Sequence, residues 1–167
     1  MTTQQLAKKL VNELTKRELT VATAESCTGG LIAKLITDIA GSSAVLLGGC
    51  VTYTNEVKIK LLGVDPSIIA RESEVSHACA KAMAEGARRQ LDSHFSVSTT
   101  GFAGPTGGTD VDPVGTVYIG VSTPDGTKSE RFCAPQGSTR KQVRNAAAHR
   151  ALELLLTAAD RTEKHEL

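Results

Sequence analysis

The sequence predicts an α/β fold: a three-layer α/β/α sandwich with a mixed, mostly parallel sheet of about five strands. Three observations carry that prediction. Short β-branched runs alternate with segments whose apolar residues recur at helical spacing. Two later strands flank the turn Pro124-Asp125-Gly126, which reads as an antiparallel hairpin. The most periodic helix is built on small residues, as close packing on a sheet demands. Helix-separated strands together with a hairpin give a mixed sheet with helices on both faces.

The elements follow in order. Leu6, Leu10, Val11 and Leu14 form one helical stripe behind Thr2 or Thr3 as a cap, so a first helix covers roughly 3–17. Leu19 to Glu25 is a strand that passes through Ser26-Cys27-Thr28-Gly29-Gly30 into a helix carrying Leu31, Ile32, Leu35, Ile36 and Ile39. Gly41-Ser42-Ser43 ends that helix, and Ala44 to Thr54 is a second extended segment. A helix with Lys58 and Lys60 stops near Gly63. Val75, Ala78, Cys79, Ala82, Met83, Gly86, Ala87 and Leu91 keep the i, i+3, i+4, i+7 stripe over four turns. Phe95, Val97 and Thr99 alternate with serines as a third strand, Val114 to Ser122 is a fourth, and a fifth ends near Cys133. Val143, Ala147, Ala151, Leu154 and Leu155 place a last helix over roughly 138–160.

Composition bounds the function. The chain has 167 residues, 40% hydrophobic and 22% charged, so it can bury a core and reads as one domain, 1–160, followed by a charged tail, 161–167. Lys+Arg 19 against Asp+Glu 18 leaves +1, which supplies no broad attraction to nucleic acid or to an anionic membrane. Cys27, Cys50, Cys79 and Cys133 form no CxxC pair and no HExxH is present, so no metal is expected. Without an apolar signal core or a run of about 18 apolar residues, the expected setting is cytoplasmic, with reduced thiols.

Four groups of residues have chemical potential. Glu25 to Gly30 joins a strand end to a helix start, where free backbone N–H groups can hold an anion or an oxyanion. Ser26 there is placed as a nucleophile, with Cys27 as an alternative; equally, Ser26 or Thr28 serves as a helix cap. Lys58 can act as general base for a serine if desolvation lowers its pKa, with Tyr53 orienting it; otherwise Lys58 and Lys60 are solvated helix positions. The loop Gly101 to Gly108 either contacts a ligand through its amides or is a turn of unusual dihedrals, and it lacks the lysine ending of a P-loop. Arg140 and Arg144, one helical turn apart, either clamp a phosphate or are surface arginines. His77, His94, His149 and His165 read as structural or solvent-facing.

The motifs Thr23-Ala24-Glu25-Ser26-Cys27-Thr28-Gly29-Gly30, Gly41-Ser42-Ser43, Val51 to Lys58, Gly101-Phe102-Ala103-Gly104-Pro105 and Pro113-Val114-Gly115-Thr116-Val117 stand in order along nearly the whole chain. Through them the sequence resembles the carboxy-terminal domain of the CinA family, which includes stand-alone nicotinamide-nucleotide amidases, without the larger amino-terminal domain of full-length members. The resemblance implies hydrolysis of nicotinamide mononucleotide to nicotinic acid mononucleotide and ammonia, with no cofactor. It makes Ser26 the nucleophile, matches Lys58 and Tyr53 to the family's lysine and tyrosine, and matches Arg140 and Arg144 to its paired arginines. The substrate would then lie against Cys27, Thr28, Gly29 and Gly30, with its phosphate on Arg140, Arg144, Gly104, Gly107 and Gly108. Family members are often homodimers, so a homodimer is expected.

Several positions depart from the family pattern. Phe102 stands in Gly-Ile-Ala-Gly-Pro, and Asp112 replaces a basic residue before Pro-Val-Gly-Thr, where an acid near a phosphate would weaken its binding. Ser73-Glu74-Val75-Ser76 stands where Gly-Ala-Val-Ser is frequent, and Gly49-Cys50 replaces Arg/Gly and an aromatic; both changes are expected near the pocket. The alternative is therefore a silent or altered-specificity homologue that binds a pyridine nucleotide or another phosphorylated ligand, and a third reading is an interaction module.

Overall fold

The computed structural model describes residues 1–162; His165 and most of the expected tail lie outside the described residues. The strands are β1 (Val21–Glu25), β2 (Leu46–Val51), β3 (Phe95–Gly101), β4 (Thr116–Thr123) and β5 (Gly126–Cys133). They form one sheet in the order β2-β1-β3-β4-β5. β1 pairs parallel with β2 and β3, while β3/β4 and β4/β5 are antiparallel, so β4 alone runs against the other four. The helices are α1 (Thr3–Lys16), α2 (Leu31–Thr37), α3 (Asn55–Leu62), α4 (Pro66–Glu72), α5 (His77–Gln90) and α6 (Arg140–Arg161). The expected three-layer α/β/α sandwich is what forms.

The layers follow from the alternation of side chains along each strand. Val21, Phe95, Val97, Val117 and Ile119 turn to one face, where α1, α2 and α6 bring Leu10, Ile36 and Leu152 into the larger core. Ala22 and Ala24 turn to the other face, against Leu62, Cys79, Met83 and Ala87 of α3 and α5. That second layer sits close. Ser96 and Ser98 of β3 donate to the carbonyls of Ala84 and Ala80 at 2.5 Å, and a Cβ at Gly86 would collide with the Leu62 carbonyl. The serines that alternate along β3 therefore face a helix, and burying each hydroxyl is balanced by its bond to the main chain.

Local signals set the boundaries. Thr2 with Gln5 and Thr139 with Gln142 form capping boxes at the starts of α1 and α6. Thr54 and Ser76 cap α3 and α5 by accepting from Val57 and Cys79. The long extended segment expected over 44–54 is shorter, because a 3₁₀ turn occupies Ser42–Ala44 and β2 stops at Val51. Helix α4 has no counterpart in the sequence reading. Its seven residues are too few for a periodic stripe, although Asp65 as cap and Pro66 in the first turn are its start signal.

Candidate active site

The parallel strands β1, β2 and β3 end at the same edge of the sheet, and the chain leaves β1 for β2 on one side before crossing to β3 on the other. Ligand crevices in open α/β sheets form at such a switch point. Ser26 follows β1, Tyr53 follows β2, and Phe102 and Ala103 follow β3. These residues, with Cys27, Thr54, Asn55, Lys58, Glu74, Val75, Thr100, Gly101 and Arg140, line a cavity of about 330 Å³. A larger groove of about 470 Å³ lies between β4, β5 and the end of α6, away from these strand ends.

The central contact joins β1 to α3. Helical side chains lean toward the helix N-terminus, so Lys58 on α3 reaches back over Thr54. Its Nζ donates to Ser26 Oγ at 3.3 Å and to the Tyr53 carbonyl at 3.5 Å. Lys58 is 1% exposed and Ser26 8%. No carboxylate pairs with the ammonium among the described residues. Burial therefore lowers the Lys58 pKa from its ordinary value, opposed by the Cys79, Glu74 and Cys27 side chains. A lysine driven toward neutrality beside a serine hydroxyl can accept that hydroxyl's proton. Cys27 is the weaker nucleophile of the turn, since burial pushes its thiol up to about 12.

Glu25 changes the expected chemistry of the strand-to-helix turn. It is fully buried, and its carboxylate accepts from Thr28 Oγ1 at 2.6 Å and from the amides of Gly30, Ile32 and Ala33 at 3.1, 3.0 and 2.9 Å. The N-terminus of α2 is thus filled by an anion from the chain itself, and no substrate phosphate can share those donors. Gly29 N–H donates to the Ser26 carbonyl. Of the amides from Cys27 to Gly30, those of Cys27 and Thr28 have no main-chain or carboxylate acceptor among the described residues, and the Cys27 amide directly follows the nucleophile.

The two arginines separate in role. Arg140 lines the cavity, with Nη1 donating to the Gly104 carbonyl and Nη2 to the Tyr53 hydroxyl, both at 2.8 Å. Tyr53 thus offers Lys58 its carbonyl, and its exposed ring carries the hydroxyl to Arg140. Arg144 stays outside the cavity and donates to the carbonyls of Cys27 at 3.1 Å and Thr28 at 2.7 Å, tying α6 to the nucleophile turn. Those carbonyls explain arginine at a helix start, where an unpaired cation would oppose the macrodipole. Thr28, Gly29, Gly30, Gly104, Gly107 and Gly108 also stay outside the lining. Positive φ at Gly104, Gly107 and Gly108 shows what this loop needs glycine for.

The departures from the family pattern divide: the change over 73–76 lies at the cavity as expected, whereas those at Asp112 and at Gly49-Cys50 do not. Asp112 does not face the cavity. Its carboxylate pairs with Arg131 at 2.9 Å and accepts from the Tyr118 hydroxyl at 3.0 Å, so its charge is answered locally. Gly49 lies against Thr23 and Ala33, and Cys50 packs beside the α3/α5 core; neither lines the cavity. Phe102 and Glu74 do line it. Three histidines have structural partners: His77 meets Ser129, His94 meets Thr20, and His149 meets Thr3.

Sequence reasoning gave no role to Glu25, Thr100 or Asn55, and it expected Glu74 near the pocket only as a departure from the family pattern. Of the first three, only Glu25 had a signal: an acid closing a short β-branched strand, five residues before an uncapped helix start, has several orphan amides in reach. Among the described residues no three His, Cys, Asp or Glu side chains gather as metal ligands, and no helix is long and apolar enough to cross a membrane.

A three-layer α/β/α sandwich with a buried serine–lysine pair at the carboxyl ends of its parallel strands is the class that fold and site define. The chain belongs to the CinA C-terminal domain family, whose model matches residues 3–159. It is 52% identical to a CinA-like protein of Chlorobaculum tepidum over 72% of this chain and 29% of that one. A CinA-like protein of Shewanella denitrificans is 47% identical over 92% of this chain and 36% of that protein. The chain thus spans about a third of the length of these curated relatives. The crystal structure of competence/damage inducible protein CihA from Agrobacterium tumefaciens superposes with a TM-score of 0.91 at 39% identity, covering 95% of this chain and 96% of that one. That of the competence damage-inducible protein A from Klebsiella pneumoniae gives 0.92 at 30% identity, covering 98% and 100%.

Proposed function

We propose that this protein is a cytoplasmic amidohydrolase that converts nicotinamide mononucleotide to nicotinic acid mononucleotide and ammonia, working as a homodimer. The observation that carries the reading is the buried contact of Lys58 Nζ with Ser26 Oγ at 3.3 Å, with no carboxylate in ion-pair contact with the lysine among the described residues. In this mechanism neutral Lys58 takes the Ser26 proton as Oγ attacks the carboxamide carbon. The oxyanion settles on the Cys27 amide, joined by that of Thr28. Lys58 then returns the proton to the departing nitrogen, ammonia leaves, and water activated by the same lysine cleaves the acyl-enzyme.

Arg140 would receive the 5′-phosphate, at the mouth of the cavity beside Tyr53, and such remote binding energy holds the amide over Ser26. Arg144 would act by keeping the Cys27–Thr28 turn in place. The test is ammonia release from nicotinamide mononucleotide by the purified protein, with Ser26→Ala as control. Turnover that the control lacks is expected, and equal rates in both would reject the reading.

A second reading rests on Glu74, an acid in the cavity where the family pattern carries a small residue: a homologue of altered specificity for another phosphorylated ligand. Calorimetric binding of the mononucleotide without turnover would favour it.

A further inference from the structure

Glu74 is the one carboxylate in the lining of the cavity that holds Ser26 and Lys58. It lies between α4 and α5, and its place is fixed from both sides. Thr100 Oγ1 donates to its main-chain carbonyl at 2.6 Å, and Ser73 Oγ donates to its Oε2 at 3.2 Å. The neighbouring Val75 is buried and its amide donates to Ser73 Oγ. The carboxylate is half-buried and makes no ion pair among the described residues.

The charge balance of the cavity gives this acid a meaning. Its lining carries three ionisable groups of high charge, Lys58, Glu74 and Arg140. The reaction requires Lys58 to be neutral. In that state the remaining cation, Arg140, is held at the mouth by the Gly104 carbonyl and the Tyr53 hydroxyl, and the Glu74 carboxylate shares the lining with Ser26 and Lys58 without an ion-pair partner among the described residues. A carboxylate there works against the chemistry of a neutral amide, because it opposes both loss of the Lys58 proton and growth of negative charge on the substrate oxygen. A substrate that brings a positive charge offsets both.

We propose that Glu74 is a specificity-determining residue whose carboxylate receives the positively charged part of the substrate, so that the site selects amides attached to a cationic ring, of which a pyridinium is the simplest, over neutral amides of the same shape. The proposal rests on the amidase reading above and deepens it.

The test uses the full chain carrying Ser26→Ala, which removes turnover, and calorimetric titration with two probes of equal size. One is nicotinamide mononucleotide, whose ring is cationic; the other is its dihydropyridine form, whose ring is neutral. The cationic probe is expected to bind tighter by about tenfold or more, as an unpaired carboxylate within a few ångströms would give. Adding Glu74→Gln brings the ratio of the two dissociation constants to about one. Glu74→Ala, which removes the carboxylate without adding a polar group, gives the same result, and melting curves confirm that both variants fold. Equal affinities in the parent, a ratio unchanged by either folded variant, or no binding of the cationic probe overturns the proposal. Failure of the amidase reading shows separately, as absence of ammonia release by the protein with Ser26 intact, whichever way the binding ratio falls.

Discussion

At the scale of single residues, Lys58 links sequence, packing and chemistry. Its side chain is buried without a carboxylate in ion-pair contact among the described residues, so burial disfavours its charged form and its pKa falls below the ordinary lysine value of 10.5. The groups that face it are Ser26, Cys27, Cys79 and Glu74, of which Glu74 and the two thiols hold the pKa up against desolvation. Between the lowered folded value and 10.5 the unfolded chain binds more protons than the folded one, so this residue's contribution to stability rises with pH across that window. Activity should follow the same titration: kcat/KM for the mononucleotide climbs with pH as Lys58 loses its proton, along a limb centred below 10.5. Lys58→Met removes the ammonium while keeping the apolar stem. It is expected to abolish ammonia release, to match or exceed the parent's urea midpoint at pH 7, and to lose the pH-dependent part of the stability. A variant that keeps measurable turnover would show that Lys58 is not the base.

The helix-and-strand scale shows which parts of the site were legible in the sequence. The Ser26, Tyr53 and Lys58 positions were readable because each sits at an element end marked by a motif, and the strand alternation and helical stripes place those ends at one edge of the sheet. Glu74 was legible only as a departure expected near the pocket; what holds it there was not, because its place depends on how the α4–α5 connection folds over β3, and α4 itself was too short to leave a period. The turn after β1 was half legible: its free amides were expected to meet a ligand, but four donors converge on Glu25. That carboxylate fixes where α2 starts, and so holds the Cys27 amide beside Ser26. Glu25→Gln keeps the size and loses the charge, and its amide nitrogen faces backbone donors. Hydrogen bonds to charged groups contribute about 1.5–3 kcal/mol each, and losing part of this set should cost about 2–4 kcal/mol. Urea unfolding measures that cost, and kcat is expected to fall with it because the turn loosens. A variant of parental stability would mean that water replaces the carboxylate.

For the whole molecule, the two helical layers have different duties. The α1/α2/α6 layer holds the larger apolar core, including Leu10, Leu14, Ile36, Leu152 and Leu155. The α3/α4/α5 layer is thinner, and it supplies Lys58 directly and Glu74 from its connection. Stability is thus concentrated on one face of the sheet and the proposed base on the other, with β1 contributing to both. Truncating the large core should therefore lower stability without retuning the site. Leu152 is fully buried in α6, two turns beyond Arg144, and Leu152→Ala leaves a cavity that costs about 2–5 kcal/mol. For a chain of this size each kcal/mol lowers Tm by about 2–4 °C, so a fall of several degrees or more is expected by calorimetry. Below that transition, KM and the pH profile for the mononucleotide should match the parent, since Lys58 and Glu74 come from the opposite layer and Leu152 does not line the cavity. A shifted pH profile in the folded Leu152→Ala protein would instead show that the sheet transmits packing from one layer to the Lys58 environment in the other.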